Sequence, residues 1–223
     1  MPAIAPERIR GVVFDLWNTL AYNDHRPNPM VALGEAFGVQ GEPGWTKILE
    51  RGMMREKLSG IEEGIEALSR LTGKRLAEEK AAELVRIWRE ACGKSRLFPE
   101  VQEILTRLAR RFHLGLLSNT QSFDLEFLET PDLPFRARLF SYETGVLKPD
   151  RSMFQRMADL LDLDAPEILM VGDNLSDDVL GAEAVGMQAL LVRRREAPLS
   201  FREPHPDRDP MTSLEPLPGH LGL

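Results

Sequence analysis

The rhythm of apolar and polar positions changes twice along the chain. Residues 9–15 are a short, nearly continuous apolar run that predicts a buried strand. The turn-rich stretch YNDHRPNP (22–29) marks a boundary after it. From 29 to 95 the apolar positions recur at helical spacing. They do so in MVALGEAF, at Ile48, Met53 and Leu58, and at Leu84, Ile87, Trp88 and Cys92. Nothing in that segment reads as strand. FPE (98–100) then starts a fresh helix, with Pro99 suited to a first turn.

Beyond residue 98 helices and apolar strands alternate. A helix over 99–111 leads to the strand HLGLLSN, and a helical stretch near 121–129 to ARLFSY. A helix over 150–162 leads to EILMVGD, and one over 176–186 to MQALLVR. The tail from Arg193, rich in Pro, Arg and Asp, predicts irregular chain with a short helix near 212–217. Alternation of this kind, with apolar strands, predicts a doubly wound parallel sheet covered on both faces. The expected architecture is an α/β core domain of residues 1–20 and 96–223, interrupted by an all-helical domain of residues 21–95. Ligands of such sheets bind at the carboxyl ends of the strands. Asp15, Ser118-Asn119, the segment from Tyr142 to Lys148, and Asp173 stand at those ends.

Composition narrows the function classes. A hydrophobic fraction of 43% provides for a packed core. No apolar run approaches the ~20 residues of a membrane span, and the N-terminus lacks the apolar stretch of a secretory signal. Cys92 has no partner for an internal disulfide, which fits a reducing, cytoplasmic setting. Net charge is −7 and the pI about 5.3, against a general nucleic-acid binder. Residues 21–95 balance to zero, so the excess acid lies in the α/β part. Carboxylates there fit a phosphate-handling enzyme if they hold a divalent cation.

The strand-end residues carry the candidate chemistry. Asp15 is either a turn cap or a nucleophile and metal ligand. Ser118, Asn119 and Thr120 can hold an anionic oxygen, or cap the next helix. Lys148 is a surface lysine unless it points into a strand-end pocket, where it would neutralise a phosphoryl group and an aspartate together. In VGDNLSDDVLGA (171–182), Asp173, Asp177 and Asp178 crowd one strand–helix turn and repel one another without a cation. Oxygen ligands of this kind suit Mg²⁺, although Asp177 and Asp178 also favour a helix N-terminus.

Taken together in this order, FDLWNTL, LLSNT, LKPD and GDNLSDD resemble the four motifs of the haloacid dehalogenase (HAD) superfamily. The resemblance covers essentially the whole chain, and the helical insertion is similar to a C1-type cap. It implies that Asp15 is a nucleophile, that Ser118 holds an oxygen of the transferring group, and that Lys148 screens Asp15 and substrate. It further implies Mg²⁺ held by Asp15, Asp173, the backbone carbonyl of Trp17 and, through water, Asp178, with Asn119 beside the bound group. The sequence departs from the family where its phosphatases usually read D-x-D. Trp17 stands in place of the second aspartate, the usual acid/base, and indole does not titrate usefully.

Three readings are open. The first is a Mg²⁺-dependent phosphohydrolase for a small phosphorylated metabolite, working through an aspartyl-phosphate, with a good leaving group or with Asp24 or His25 as the acid. The second is a metal-independent 2-haloacid dehalogenase, for which an aromatic at position 17 fits but GDN does not. Arg51 or Arg55 would then hold the substrate carboxylate. The third is a binding or regulatory protein in which Trp17 packs over the old pocket. Cys92, Trp45 and Trp88 are expected in helix packing, and Arg193-Arg194-Arg195 as a solvated run.

Overall fold

The structure, a computed structural model, describes residues 4–129, 132–194 and 209–223. The elements run β1 (Gly11–Phe14), β2 (Ala21–Tyr22), α1 (Pro29–Phe37), α2 (Trp45–Met53), α3 (Ile61–Thr72), α4 (Glu78–Cys92) and β3 (Arg96–Leu97). They continue with α5 (Val101–Leu108), β4 (His113–Ser118), β5 (Ala137–Phe140), α6 (Ser141–Thr144), α7 (Arg151–Leu161) and β6 (Ile168–Gly172). A π-helical turn (Leu175–Leu180), α8 (Gly181–Glu183), β7 (Gln188–Leu191) and α9 (Leu217–His220) complete the described chain.

Five strands form one parallel sheet in the order β5-β4-β1-β6-β7. β1 is therefore central, with Val12 level with Leu114 on one side and Leu169 on the other. The two-residue period of a strand sorts its apolar residues between two cores. Val12, Phe14, Leu114, Leu116, Leu169 and Val171 face α5 and α9. Val13, Leu117, Ile168 and Met170 face α7. Both faces are buried, which is why these strands read as apolar runs rather than alternations.

The helices α1–α4 bury a cluster of their own, with Leu33, Phe37, Leu49, Leu68, Leu84 and Trp88. The turn-rich 22–29 stretch doubles as the start of α1. Asn28 caps it by accepting from the backbone N–H of Met30 and Val31, and Pro29 follows as the first helical residue. β2 and β3 pair antiparallel where the chain enters and leaves the helices, Ala21 opposite Leu97.

Four expectations need correction. The helical stretch near 121–129 shrinks to a single 3-10 turn at Glu126–Leu128. Its polar groups are spent elsewhere: Ser122 pairs with the backbone of Leu58, and Asp124, at φ 58°, takes the indole N–H of Trp88. The helix over 176–186 begins as a π turn, because Val179 N–H also reaches back to Asn174 O. The C-terminal helix sits at 217–220 rather than 212–217, and Leu214, Leu217 and Leu221 are fully buried. The basic run is not solvated at Arg194, which is 2% exposed. Its guanidinium lies 4.0 Å over the Phe98 ring, bonds Thr19 O at 2.7 Å and pairs with Glu100. Arg195 lies outside the described residues.

Candidate active site

The strand order puts the ends of β1, β4 and β6 side by side, at the point where such sheets collect ligands. Asp15 is the first residue past β1 and stays on the ladder, its N–H donating to Val171 O at 2.9 Å. Lys148 comes to it from the loop after α6. That loop is held by Asn119 at the end of β4. The Asn119 Oδ1 accepts from Lys148 N–H at 2.8 Å, and its Nδ2 donates to Lys148 O at 3.2 Å. The lysine is 2% exposed. Its ammonium donates to Asp15 Oδ1 at 2.7 Å, Asp178 Oδ1 at 2.6 Å and Leu117 O at 2.9 Å, which uses all three of its protons.

Asp178 reaches the lysine because of the π turn and of Gly172. Its other oxygen accepts from Asn174 N–H at 3.0 Å. A Cβ on residue 172 would lie 2.2–2.5 Å from the Asp178 side chain, so only glycine leaves that carboxylate its place. The group that approaches the Gly172 backbone is thus the Asp178 carboxyl.

Asp15, Asp173 and Asp178 each offer an oxygen, and these oxygens lie within 4.8 Å of one another. Burial pushes the Asp15 carboxyl up to about 6, with the Asp178 charge adding and the Lys148 ammonium opposing. Asp173 is pushed well above the usual range, by burial and then by the charges of Asp15 and Asp178. Lys148 is raised instead. Burial works against its charge, but the two carboxylates outweigh it. Three carboxylates against one ammonium leave an excess of negative charge, and every free donor is a hard oxygen. That set fits a divalent cation such as Mg²⁺.

The site opens into a cavity of about 330 Å³ between the strand ends and the helices. Asp15, Trp17, Asn119, Lys148, Asp173 and Asp178 line it. Ser118 ends β4 as expected but is wholly buried, and its Oγ has only a 3.4 Å contact to Asn119 O. Trp17 is half-buried; its indole N–H donates to Thr120 Oγ1 at 3.0 Å and its ring packs on Phe127 at 5.5 Å. Trp45, Trp88 and Cys92 combine packing in the helical cluster with a place on the cavity wall. The other sequence candidates lie elsewhere. Asp24 pairs with Arg96, and His25 sits against Lys94 at 2.8 Å. Arg55 donates to Gly145 O, and Arg51 is exposed. None of these four lines the cavity.

Two residues of α2 were not anticipated, Glu50 on the cavity wall and Lys47 paired with it. Lys47 pairs with Glu50 at 2.9 Å and with Asp177. Burial opposes its charge, but Glu50 and Asp177 raise its pKa. Glu50 also accepts from Asn119 Nδ2 at 3.2 Å. The only trace of this in the sequence is the i, i+3 spacing of Lys47 and Glu50, which many solvated helices share.

A family model described as haloacid dehalogenase-like hydrolase matches residues 9–186. The chain is 34% identical over 122 residues to a phosphoserine phosphatase of Thermus thermophilus, covering 53% of this chain and 49% of that one. It spans about half the length, or less, of the curated relatives it matches. Among solved structures it is similar to a HAD phosphatase from Thermococcus onnurineus, with TM-score 0.63, 20% identity, and coverage of 96% and 98% of the two chains. A 2-haloacid dehalogenase from Pseudomonas syringae pv. Tomato DC3000 has TM-score 0.60, 26% identity and the same coverage.

Proposed function

The chain belongs to the haloacid dehalogenase-like hydrolases, and from that premise we propose a Mg²⁺-dependent phosphohydrolase acting on a small phosphorylated metabolite. One observation carries the choice over a 2-haloacid dehalogenase. The carboxylates of Asp15, Asp173 and Asp178 lie within 4.8 Å of one another, and one buried ammonium pairs with the first and the last, an arrangement that lacks positive charge until a divalent cation joins it. A dehalogenase would also want an arginine for the substrate carboxylate, and among the described residues no arginine lines the cavity. Residues 1–20 and 96–223 serve as the core domain and 21–95 as the cap that selects substrate.

Asp15 is the nucleophile. One of its oxygens forms a bond to phosphorus while the bond to the leaving oxygen breaks, giving an aspartyl phosphate. Water then attacks phosphorus and returns the carboxylate and inorganic phosphate. Lys148 keeps Asp15 ionised against the effect of burial and stands where negative charge gathers. Asn119 fixes the Lys148 loop at the edge of the bound group, and Ser118, buried beside it and off the cavity wall, would have to turn its hydroxyl outward to hold a phosphoryl oxygen. Asp15, Asp173, Asp178 and the Trp17 backbone carbonyl would hold Mg²⁺, which when bound supplies charge neutralisation for the phosphoryl oxygens. Trp17 gives its one N–H to Thr120, so no acid at this position protonates the leaving group. The leaving group must therefore be a good one or bring its own proton.

Hydrolysis of an aryl phosphate tests this. Activity should require Mg²⁺, vanish in EDTA and be abolished by Asp15→Asn. Metal-indifferent halide release from a 2-haloacid would replace the proposal with a dehalogenase.

A further inference from the structure

The cavity lining beyond the Asp15, Asp173 and Asp178 cluster is acidic, and among the described residues it offers no free cation. Lys148 is the cation among the lining residues, and its three protons are spent on Asp15, Asp178 and Leu117 O. Glu50, Asp124 and Asp177 line the same space. Lys47 offsets part of that charge, but it is shared between Glu50 and Asp177. A second, independent sign comes from Asp177, which is 3% exposed and whose Oδ1 has no hydrogen-bond partner among the described residues. A buried carboxylate oxygen with nothing donating to it is an acceptor awaiting a donor. Trp45 and Trp88 add two aromatic rings to this wall.

A carboxylate on the substrate would meet repulsion here, whereas an ammonium would find acceptors and aromatic faces. Resting on the phosphohydrolase reading, we propose that the substrate is a phosphate monoester of an amino alcohol, with a protonated amine close to the ester oxygen and no carboxylate. This also answers the question raised by Trp17. An alkylammonium titrates near about 10, far below an alcohol, so it can give up a proton to a departing alkoxide. The Asp15 oxygen bonds to phosphorus, and the ester P–O bond breaks with its electron pair on the leaving oxygen. That oxygen takes a proton from the ammonium, and the amino alcohol leaves as a neutral amine. The substrate carries the acid that position 17 lacks.

Three phosphates of nearly the same size and one bulkier analogue separate the possibilities, each assayed with Mg²⁺ beside 4-nitrophenyl phosphate. The expected kcat/KM order is 2-aminoethyl over 2-hydroxyethyl over carboxymethyl phosphate, with steps of about tenfold or more for each unit of charge. The trimethylammonium analogue of the first, which keeps the charge but has no N–H to donate or give up, should lose kcat by a far larger factor than it raises KM. Asp124→Asn combined with Glu50→Gln should collapse the preference for 2-aminoethyl over 2-hydroxyethyl phosphate. Turnover of 4-nitrophenyl phosphate with carboxymethyl phosphate preferred overturns this inference alone, as does equal kcat for the trimethylammonium analogue. No turnover of any of the five overturns the phosphohydrolase reading and this inference with it.

Discussion

Lys148→Met removes the one ammonium from the carboxylate cluster while keeping a side chain of similar length. Three hydrogen bonds go at once, those of 2.7 and 2.6 Å to Asp15 and Asp178 and that of 2.9 Å to Leu117 O. Both carboxylates stay behind, Asp178 at 1% exposure and Asp15 at 7%. Breaking a buried pair from one side costs about 3–5 kcal/mol, most of it from the charge left unpaired. For a chain of this size each kcal/mol moves the melting temperature by about 2–4 °C, so the expected fall is roughly 6–20 °C. The measurement is thermal unfolding followed by circular dichroism, first in EDTA and then in saturating Mg²⁺. The fall should be large in EDTA and smaller with Mg²⁺, because a bound cation replaces part of the missing charge and binds only the folded state. A variant melting within about 2 °C of the parent in EDTA would refute the view that the lysine and the carboxylates depend on each other. Turnover should fall by about 10²–10³ as well, as for other groups that stabilise developing charge.

Gly172→Ala should cost about 1–3 kcal/mol in overpacking, read from urea denaturation, and about 10² in kcat, because Asp178 must leave Lys148 to make room; a fully active variant would show that Asp178 is dispensable. The pH dependence of stability has a definite sign. Asp15 and Asp177 move from 3.8 to about 6 and about 7 on folding, each chiefly through burial, so the native state binds more protons between those values. Their contribution to stability is present at low pH and lost as pH rises through that window. The gap between melting temperatures in Mg²⁺ and in EDTA should therefore widen from pH 4 to pH 7, and a constant gap would contradict it. Trp17→Asp should speed hydrolysis of unactivated alkyl phosphates by supplying an acid, with little gain for aryl phosphates, and should lower stability through loss of the Thr120 bond and the Phe127 contact. No gain on alkyl esters would mean that position 17 does not face the leaving group.

The strands were legible because a parallel sheet buried on both faces leaves a long apolar signature, and their ends located Asp15, Asn119 and Asp173 from sequence alone. Lys148 was legible as a candidate, but not its burial, since a lysine in a loop looks the same in sequence whether its ammonium meets water or two carboxylates. The 121–129 segment misled because Phe123, Leu125, Phe127 and Leu128 have a helix-like spacing, while Ser122 and Asp124 are claimed by partners far along the chain. Arg194 misled for a similar reason. Its neighbours in sequence are arginines, but its partners Thr19, Phe98 and Glu100 lie about a hundred residues or more away. Lys47 and Glu50 were invisible because their meaning comes from Asp177 and Asn119, which lie far along the chain.

The short ribbon of β2 and β3 has a consequence for how this molecule can be rebuilt. Ala21 and Leu97 are paired across it, so some seventy-five residues depart from and return to one spot, with ends about 5 Å apart. The covalent path between sheet and helices runs only through that pair of ends, while Lys47, Glu50 and Trp88 meet Asp177, Asn119 and Asp124 through side chains. A different helical module with matching ends could be spliced at the ribbon without disturbing strand order or the placement of Asp15. Specificity would then be a removable part of the protein, exchanged by grafting at one seam, provided that the new module again offers partners to Asn119 and Asp177.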